Sequence, residues 1–491
     1  MIISTDLDGV IRVNGDTANV HSSRYANCVA YYIDKATQSV LEKHFNGGDK
    51  AYRSSPKTNP SFTFETDKGT FRVLCASVWT DAKTEAEVTA DLFHFDIAVR
   101  QEGWLWADTV GSLAGRLCRE YTQTKQLEPR WRELSHNAIH QGPMVCAMGG
   151  YPFVVAWDRE KAFLRALYEP VPVGGWIAVN PNSIDAVWNM AGLVRATVTV
   201  PPLIYAGRIP PLPVRLNGYT VYPTGKVRGC WTLAMLHDAL YYGHYELEQV
   251  HELAVCRALP IHAPAADRIL RVQDKRLRKL LYTRYWGRLA ATGGYEGYLT
   301  PRYVNPKRLI GSRLNWYYMG KSPLGFDCPP DYRPDHAAFI ASANHLVMNE
   351  ELRKYGPNEV IATHVDCIWT NNLDAKPGES FKEKHRGEAR FYGVGCYSVG
   401  EALAAQGYNG ILDRPALETW GANLNSGDGV YRDWQNGLPA QSALATSDPV
   451  VHCEHIAAHN PVMNAPTIYW DGWTSKGWVH KPKEQPNGCG K

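Results

Sequence analysis

The stretch PFVVAWDREKAFLRALYEP, residues 152–170, changes character at one residue. Phe153 to Trp157 form an apolar, partly β-branched run of the kind that makes a strand, and Asp158 ends it. The residues after it return to helical spacing. An Asp joined to an apolar strand is costly to bury unless it meets a partner or a metal ion. Taken alone, such an Asp is more often a turn or cap residue. A second one changes the weighing: EVIATHVDCIWT, residues 359–370, is another apolar strand pattern, interrupted by Asp366.

Between the two lies RLRKLLYTRYWG, residues 276–287. It belongs to a predicted helix over about 266–290. On a wheel of 3.6 residues per turn, Arg268, Lys275 and Lys279 share a face with Arg271 beside them, and Leu270, Leu277 and Leu281 lie opposite. Residues 267–288 hold eight Lys or Arg against two acids, Asp267 and Asp274. A merely solvated face mixes both signs, so a one-signed column points to a polyanion or a triphosphate.

The three segments, in order, resemble motifs of family B DNA polymerases, especially the compact protein-primed phage enzymes. The first family motif is an Asp after an apolar strand, then a step into a helix, and VVAWDREKAFLRAL is similar to it. The second is Lys-x3-Asn-Ser-x-Tyr-Gly. KLLYTRYWG keeps Lys279 and Gly287, with Thr283, Arg284 and Trp286 in place of Asn, Ser and Tyr. The third is Tyr-x-Asp-Thr-Asp-Ser. THVDCIWT places Asp366 at the second Asp, with His364 at the first and Val365 at the Thr. GKVRGCWTLAMLHDALYYG and HAAFIASANHLVMNEEL resemble the connecting segments. ARFYGVGCYSVG resembles the region after the palm, with Tyr397 present and Gly395 where the family has a Lys. The resemblance covers roughly 150–400.

It implies an α+β, multidomain chain built as a right hand. The expected regions are an N-terminal α/β domain over 1–145, palm over 146–265 and 326–400, reduced helical fingers over 266–325 and a thumb-like region over 401–491. By this resemblance Asp158 and Asp366 hold two Mg²⁺ ions, with Mn²⁺ able to replace them. Lys279 and Lys275 bind the incoming triphosphate, together with Arg268, Arg271 and the amides of Lys161, Ala162 and Phe163. The Phe163 ring excludes a ribose 2′-hydroxyl, and Trp286 packs near the nascent base pair. Thr283, Arg284, Gly287 and Tyr397 contact DNA. The implied partners are primer–template DNA and dNTPs, with a protein primer or a replication accessory factor as further candidates.

A nuclease ahead of the palm would open with Asp-x-Glu. TDLDG offers Asp6 and Asp8, and FHFD offers Asp96, but no third motif with sensible spacing follows. An absent or vestigial nuclease is therefore expected. A non-catalytic, polymerase-like nucleic-acid-binding scaffold is the rival reading, and an unrelated enzyme with chance matches is a third.

Bulk composition narrows the class without choosing among these. At 491 residues several sub-domains are expected. A net charge of +3 means that anion binding must come from local clustering. The 11 cysteines form no CxxC pair, so neither a zinc site nor a disulfide framework is signalled. No apolar run is long enough for a membrane span, and MIISTDLDGV does not read as a signal peptide. The expectation is a cytoplasmic protein with no membrane partner, in the host cytoplasm if the chain is viral.

Overall fold

The computed structural model describes most of residues 1–425. The longer breaks are 6–10, 42–50, 55–60, 291–297, 301–308, 320–331 and 406–411, and beyond 425 only 467–469 are described. The chain divides into two compact units, residues 1–127 with 261–333, and residues 128–260 with 334–491. The segments expected as an N-terminal domain and as fingers thus fold together, and the helix Pro129–Asn137 falls in the second unit.

In the first unit, strands Ser61–Thr66 and Gly69–Cys75 form an antiparallel hairpin. This hairpin sits in a seven-stranded sheet and buries Phe62, Phe64, Phe71 and Val73 completely. Helix Glu85–Gln101 begins with a capping box, in which the Thr84 side chain and Glu87 each satisfy the other's backbone amide.

The single helix predicted over 266–290 is two helices, Ala263–Arg271 and Lys275–Ala290. The break has a local cause. Val272 leaves helical geometry, and Asp274 starts a new helix by accepting from the Leu277 amide at 2.6 Å. Arg268 and Lys275 therefore do not share one helical wheel.

The second unit contains a seven-stranded sheet in which every neighbour is antiparallel. Its order is Ala402–Ala405, Cys396–Val399, Phe381–Gly393, Gly149–Arg159, Cys367–Thr370, Val360–His364, Met144–Cys146. A four-stranded antiparallel sheet accompanies it, ordered Val171–Ala178, Glu246–Leu259, Ala191–Val200, Gly225–Thr232. Ala191–Val200 is interior to this sheet, paired on both sides. Its alternate residues Val194, Ala196, Val198 and Val200 are fully buried.

Helix Pro334–Leu352 is buried on nearly all sides, which explains its polar residues. The His336 imidazole donates to the Pro172 carbonyl at 2.9 Å, His345 to Pro211 at 3.1 Å, and Asn344 accepts from Arg159 at 2.6 Å. Each buried polar group thereby becomes a fixed joint between the helix and a neighbouring strand or loop. Among the described residues no helix is long and apolar enough to cross a membrane.

Candidate active site

Strand Gly149–Arg159 is central in the seven-stranded sheet, so its backbone is held on both edges. Near its end Asp158 stands opposite Cys367 on one side and Lys382 on the other. Residues 154, 156 and 158 share one face, and Val154 and Ala156 are fully buried there. The Asp158 side chain keeps 37% exposure.

Asp366 arrives by a different device. Strands Val360–His364 and Cys367–Thr370 form a hairpin whose two-residue turn is Val365-Asp366. Val365 has φ of 62°, a left-handed conformation that a β-branched residue rarely adopts. Neighbouring backbone compensates for the strain. The Val365 amide donates to the Pro143 carbonyl and the Arg159 amide to the Asp366 carbonyl, both at 2.9 Å. Gly142 lies directly under the turn, and a Cβ there would overlap the Val365 carbonyl. The second clamp ties Asp366 to the residue after Asp158, which brings the two carboxylates together from positions far apart in sequence.

Their charges register this proximity. The Asp366 carboxyl is pushed up to about 6, first by burial and then by the negative charge of Asp158, while Lys384 and Arg159 oppose the shift. Burial and the same carboxylates push the Cys367 thiol far above its ordinary range. Lys384, which the sequence reading missed, reaches Asp158 Oδ1 at 3.4 Å.

Two partly desolvated, mutually repelling carboxylates are a donor set suited to a hard divalent cation, which needs few protein ligands when waters and phosphate oxygens complete its shell. The pair thus fits Mg²⁺ or Mn²⁺. No group of three or more acidic, His or Cys side chains with metal-binding geometry occurs among the described residues. His364, half-buried, does not extend the pair into such a group.

After Asp158 the chain turns through Lys161, at φ of 54°, into the short helix Ala162–Ala166. Lys161 is exposed, Ala162 buried and Phe163 half-buried. Tyr397 lies on the same side of the sheet as Asp158. Its ring packs on Trp369 at 4.6 Å and Phe391 at 5.6 Å, and burial followed by the Cys367 and Asp158 charges pushes its hydroxyl up to about 12. Gly395 occupies a turn with φ of 71°, so this position favours glycine over the Lys that the family pattern puts there.

The cationic helices belong to the first unit, and their charges fall into two groups. Arg268 is paired with Glu120 and lies over the Trp104 ring, so its charge already has a partner within the first unit. Arg276 makes two 2.6 Å bonds to Asp91, whose carboxyl is held below its usual range chiefly by that guanidinium. Lys275, Lys279 and Arg284 are exposed, and among the described residues none meets a carboxylate; the same holds for Arg271. The Thr283 hydroxyl donates back to the Lys279 carbonyl at 3.0 Å. Trp286, expected beside a base pair, is only 8% exposed, and Gly287 is half-buried. Tyr285 is fully buried, its hydroxyl bonded to His262 at 2.9 Å.

Of the nuclease candidates, Asp96 lies on helix Glu85–Gln101 and pairs with Arg100 one turn away at 2.9 Å. Asp6 and Asp8 lie outside the described residues.

No family model matches the chain, and no curated protein matches it. Solved structures do. Phi29 DNA polymerase complexed with primer–template DNA and incoming nucleotide substrates is similar at a TM-score of 0.53 and 12% identity, over 80% of this chain and 85% of that one. Its orthorhombic crystal form gives 0.54 at 12% identity, and its complex with single-stranded DNA gives 0.53 at 12%, each over 75% of this chain and 78% of the other. With its mixed helices and several sheets, this chain has a fold similar to that of phi29 DNA polymerase.

Proposed function

We propose that this chain is a template-directed DNA polymerase that adds dNTPs to a primer 3′-hydroxyl. In this reading the seven-stranded sheet is the palm, helix Lys275–Ala290 the fingers helix, and the region past 400 thumb-like. The observation that carries it is the convergence of Asp158 and Asp366 through the Arg159 amide clamp. Structural similarity to a polymerase whose complex holds primer–template DNA and nucleotides supports the same reading.

Asp158 and Asp366 would hold the Mg²⁺ ions, which when bound activate the attacking hydroxyl and stabilise charge on the transferring phosphorus. The remaining work falls to the chain's own residues. The strand end fixes Asp158 and the strained hairpin fixes Asp366, so neither carboxylate has to reorganise as charge develops. Lys275 and Lys279, which meet no carboxylate among the described residues, would bind triphosphate oxygens, and Arg271 extends that charge. The amides of Lys161 to Phe163 begin a helix and have no intrahelical acceptor. The Phe163 ring stands five residues beyond Asp158, where its bulk would exclude a ribose 2′-hydroxyl. Arg284 and Thr283 would meet the DNA backbone, and Tyr397 the primer end. No strong proofreading is proposed, since Asp96 is committed to Arg100.

The test is extension of a short primer–template with Mg²⁺ and dNTPs, run beside Asp158→Ala and with rNTPs. Template-directed products that vanish in the variant and exclude rNTPs are expected. Salt-sensitive DNA binding without extension would instead establish a non-catalytic, polymerase-like scaffold. His364 at the position of the third family carboxylate is the observation that favours that second reading.

A further inference from the structure

Strand Phe381–Gly393 pairs along Gly149–Arg159, but not evenly. Lys382 faces Asp158 and Glu383 faces Trp157, whereas His385 faces Ala156, so Lys384 is an extra residue with no partner of its own. This is a β-bulge, a device that re-aims a side chain by placing two residues opposite one.

Without the bulge, strict alternation would put Lys384 opposite Ala156, on the face that Lys382 shares with Asp158, and would turn His385 to the other face. With it, Lys384 and His385 both fall opposite Ala156. His385 stacks on Trp369 at 5.8 Å, and the Lys384 ammonium reaches Asp158 at 3.4 Å. Lys382 is already engaged, at 2.6 Å from Glu160. Of the two lysines, then, Lys384 is the one that reaches the carboxylate pair.

We propose that Lys384 is the third charged member of this centre, a resident cation that takes part of the charge-neutralising role of one divalent ion. The inference rests on the polymerase reading only for its consequence in catalysis. Its physical basis is charge. Two carboxylates alone present a charge of −2, and with the ammonium the set presents −1. A divalent cation entering beside Asp158 meets the ammonium as a like charge within a few ångströms. Lys384 therefore weakens divalent binding at the pair and keeps the carboxylates from repelling one another when no ion is present. Its half-exposed stem leaves it free to swing aside, so it competes with the cation without blocking the site.

The experiment is Mn²⁺ binding to the full chain at pH 8, followed by electron paramagnetic resonance. The comparison is between the wild type, Lys384→Gln, Lys384→Arg, and Asp158→Asn with and without Lys384→Gln. The expected result is about tenfold tighter Mn²⁺ binding in Lys384→Gln, from the loss of a like charge near contact distance. Lys384→Arg should behave as the wild type, and Lys384→Gln should have no effect in the Asp158→Asn background.

Unchanged or weaker Mn²⁺ binding in Lys384→Gln would overturn the inference, as would absence of binding in both proteins. A gain that persists in the Asp158→Asn background would overturn it too, because the ammonium would then act elsewhere. Primer extension is scored separately: tighter Mn²⁺ binding with no extension in any variant rejects the polymerase reading and leaves the role of Lys384 standing.

Discussion

The Val365-Asp366 turn and the helix Lys275–Ala290 both present charge, and they are made in opposite ways. The helix spaces its cations locally, and no residue outside it is needed to line up Lys275, Lys279 and Thr283 at intervals of four. The turn is local only in its sequence. A left-handed Val, a glycine with no room for a Cβ and two backbone clamps to Pro143 and Arg159, more than 200 residues away in the chain, fix where Asp366 points. Locally built charge can be divided among tasks one side chain at a time. Charge built by tertiary contacts fails as a unit.

Four measurements break or sharpen that contrast, from the largest effect down. Asp158→Ala or Asp366→Ala should each lower the single-turnover extension rate by about three orders of magnitude or more, with the folded state intact by circular dichroism. Near-normal extension by Asp366→Ala would remove it from the centre.

On the helix, Lys279→Ala should raise the dNTP KM on the order of tenfold with an unchanged melting temperature, since among the described residues its cation meets no carboxylate. Arg276→Ala should do the reverse, lowering stability by about 1 kcal/mol through loss of the Asp91 pair and leaving the dNTP KM alone. If both variants shift KM equally, the division of the cations is wrong.

At the turn, Gly142→Ala should cost about 1–3 kcal/mol of stability, because a methyl group must displace the Val365 carbonyl. It should also reduce extension by more than the stability loss explains, since the displaced turn carries Asp366. Val365→Gly releases the left-handed strain, and a gain of about 1 kcal/mol in thermal or denaturant unfolding is expected. A loss there would mean that the valine side chain contributes more packing than its backbone costs.

The smallest effect concerns pH. The Asp366 carboxyl is raised to about 6 in the folded chain, above the ordinary carboxylate value near 4 that applies when the chain unfolds. The folded state therefore holds the proton more tightly, and this group lowers stability as pH rises from about 4 to about 6. Asp366→Asn should accordingly raise the melting temperature in EDTA above pH 6 and make little difference below pH 4. A pH-independent gain would point to packing instead of charge.

Much of this was legible locally. The capped helix after Thr84 and the helix Leu233–Tyr242 ended by Gly243 both follow from residues within one turn of each other. The two aspartates stood out because each interrupts an apolar strand. Lys384 did not stand out, because in FKEKHRG it is one of several alternating charges, and only strand pairing brings it to Asp158. Gly142 and Arg159 were invisible for a similar reason: their partner is a turn more than 200 residues away. The wheel over 266–290 failed where Asp274, counted only as an opposing charge, acts as a helix start. Arg268 stood out by its place on the helical wheel and Trp286 by its motif position; the structure pairs the first with Glu120 and buries the second.

The sequence by itself determined where strands and helices form and which charged residues are available, because periodicity, capping and turn propensity act over a few residues. The tertiary structure alone decided which of those charges are spent and which are left for chemistry. Strand order and register place Asp158, Asp366 and Lys384 within reach of one another, while ion pairs with Glu120 and Asp91 withdraw Arg268 and Arg276. Coulombic interaction falls with distance in space and is indifferent to separation along the chain, so no reading of spacing could have made that division.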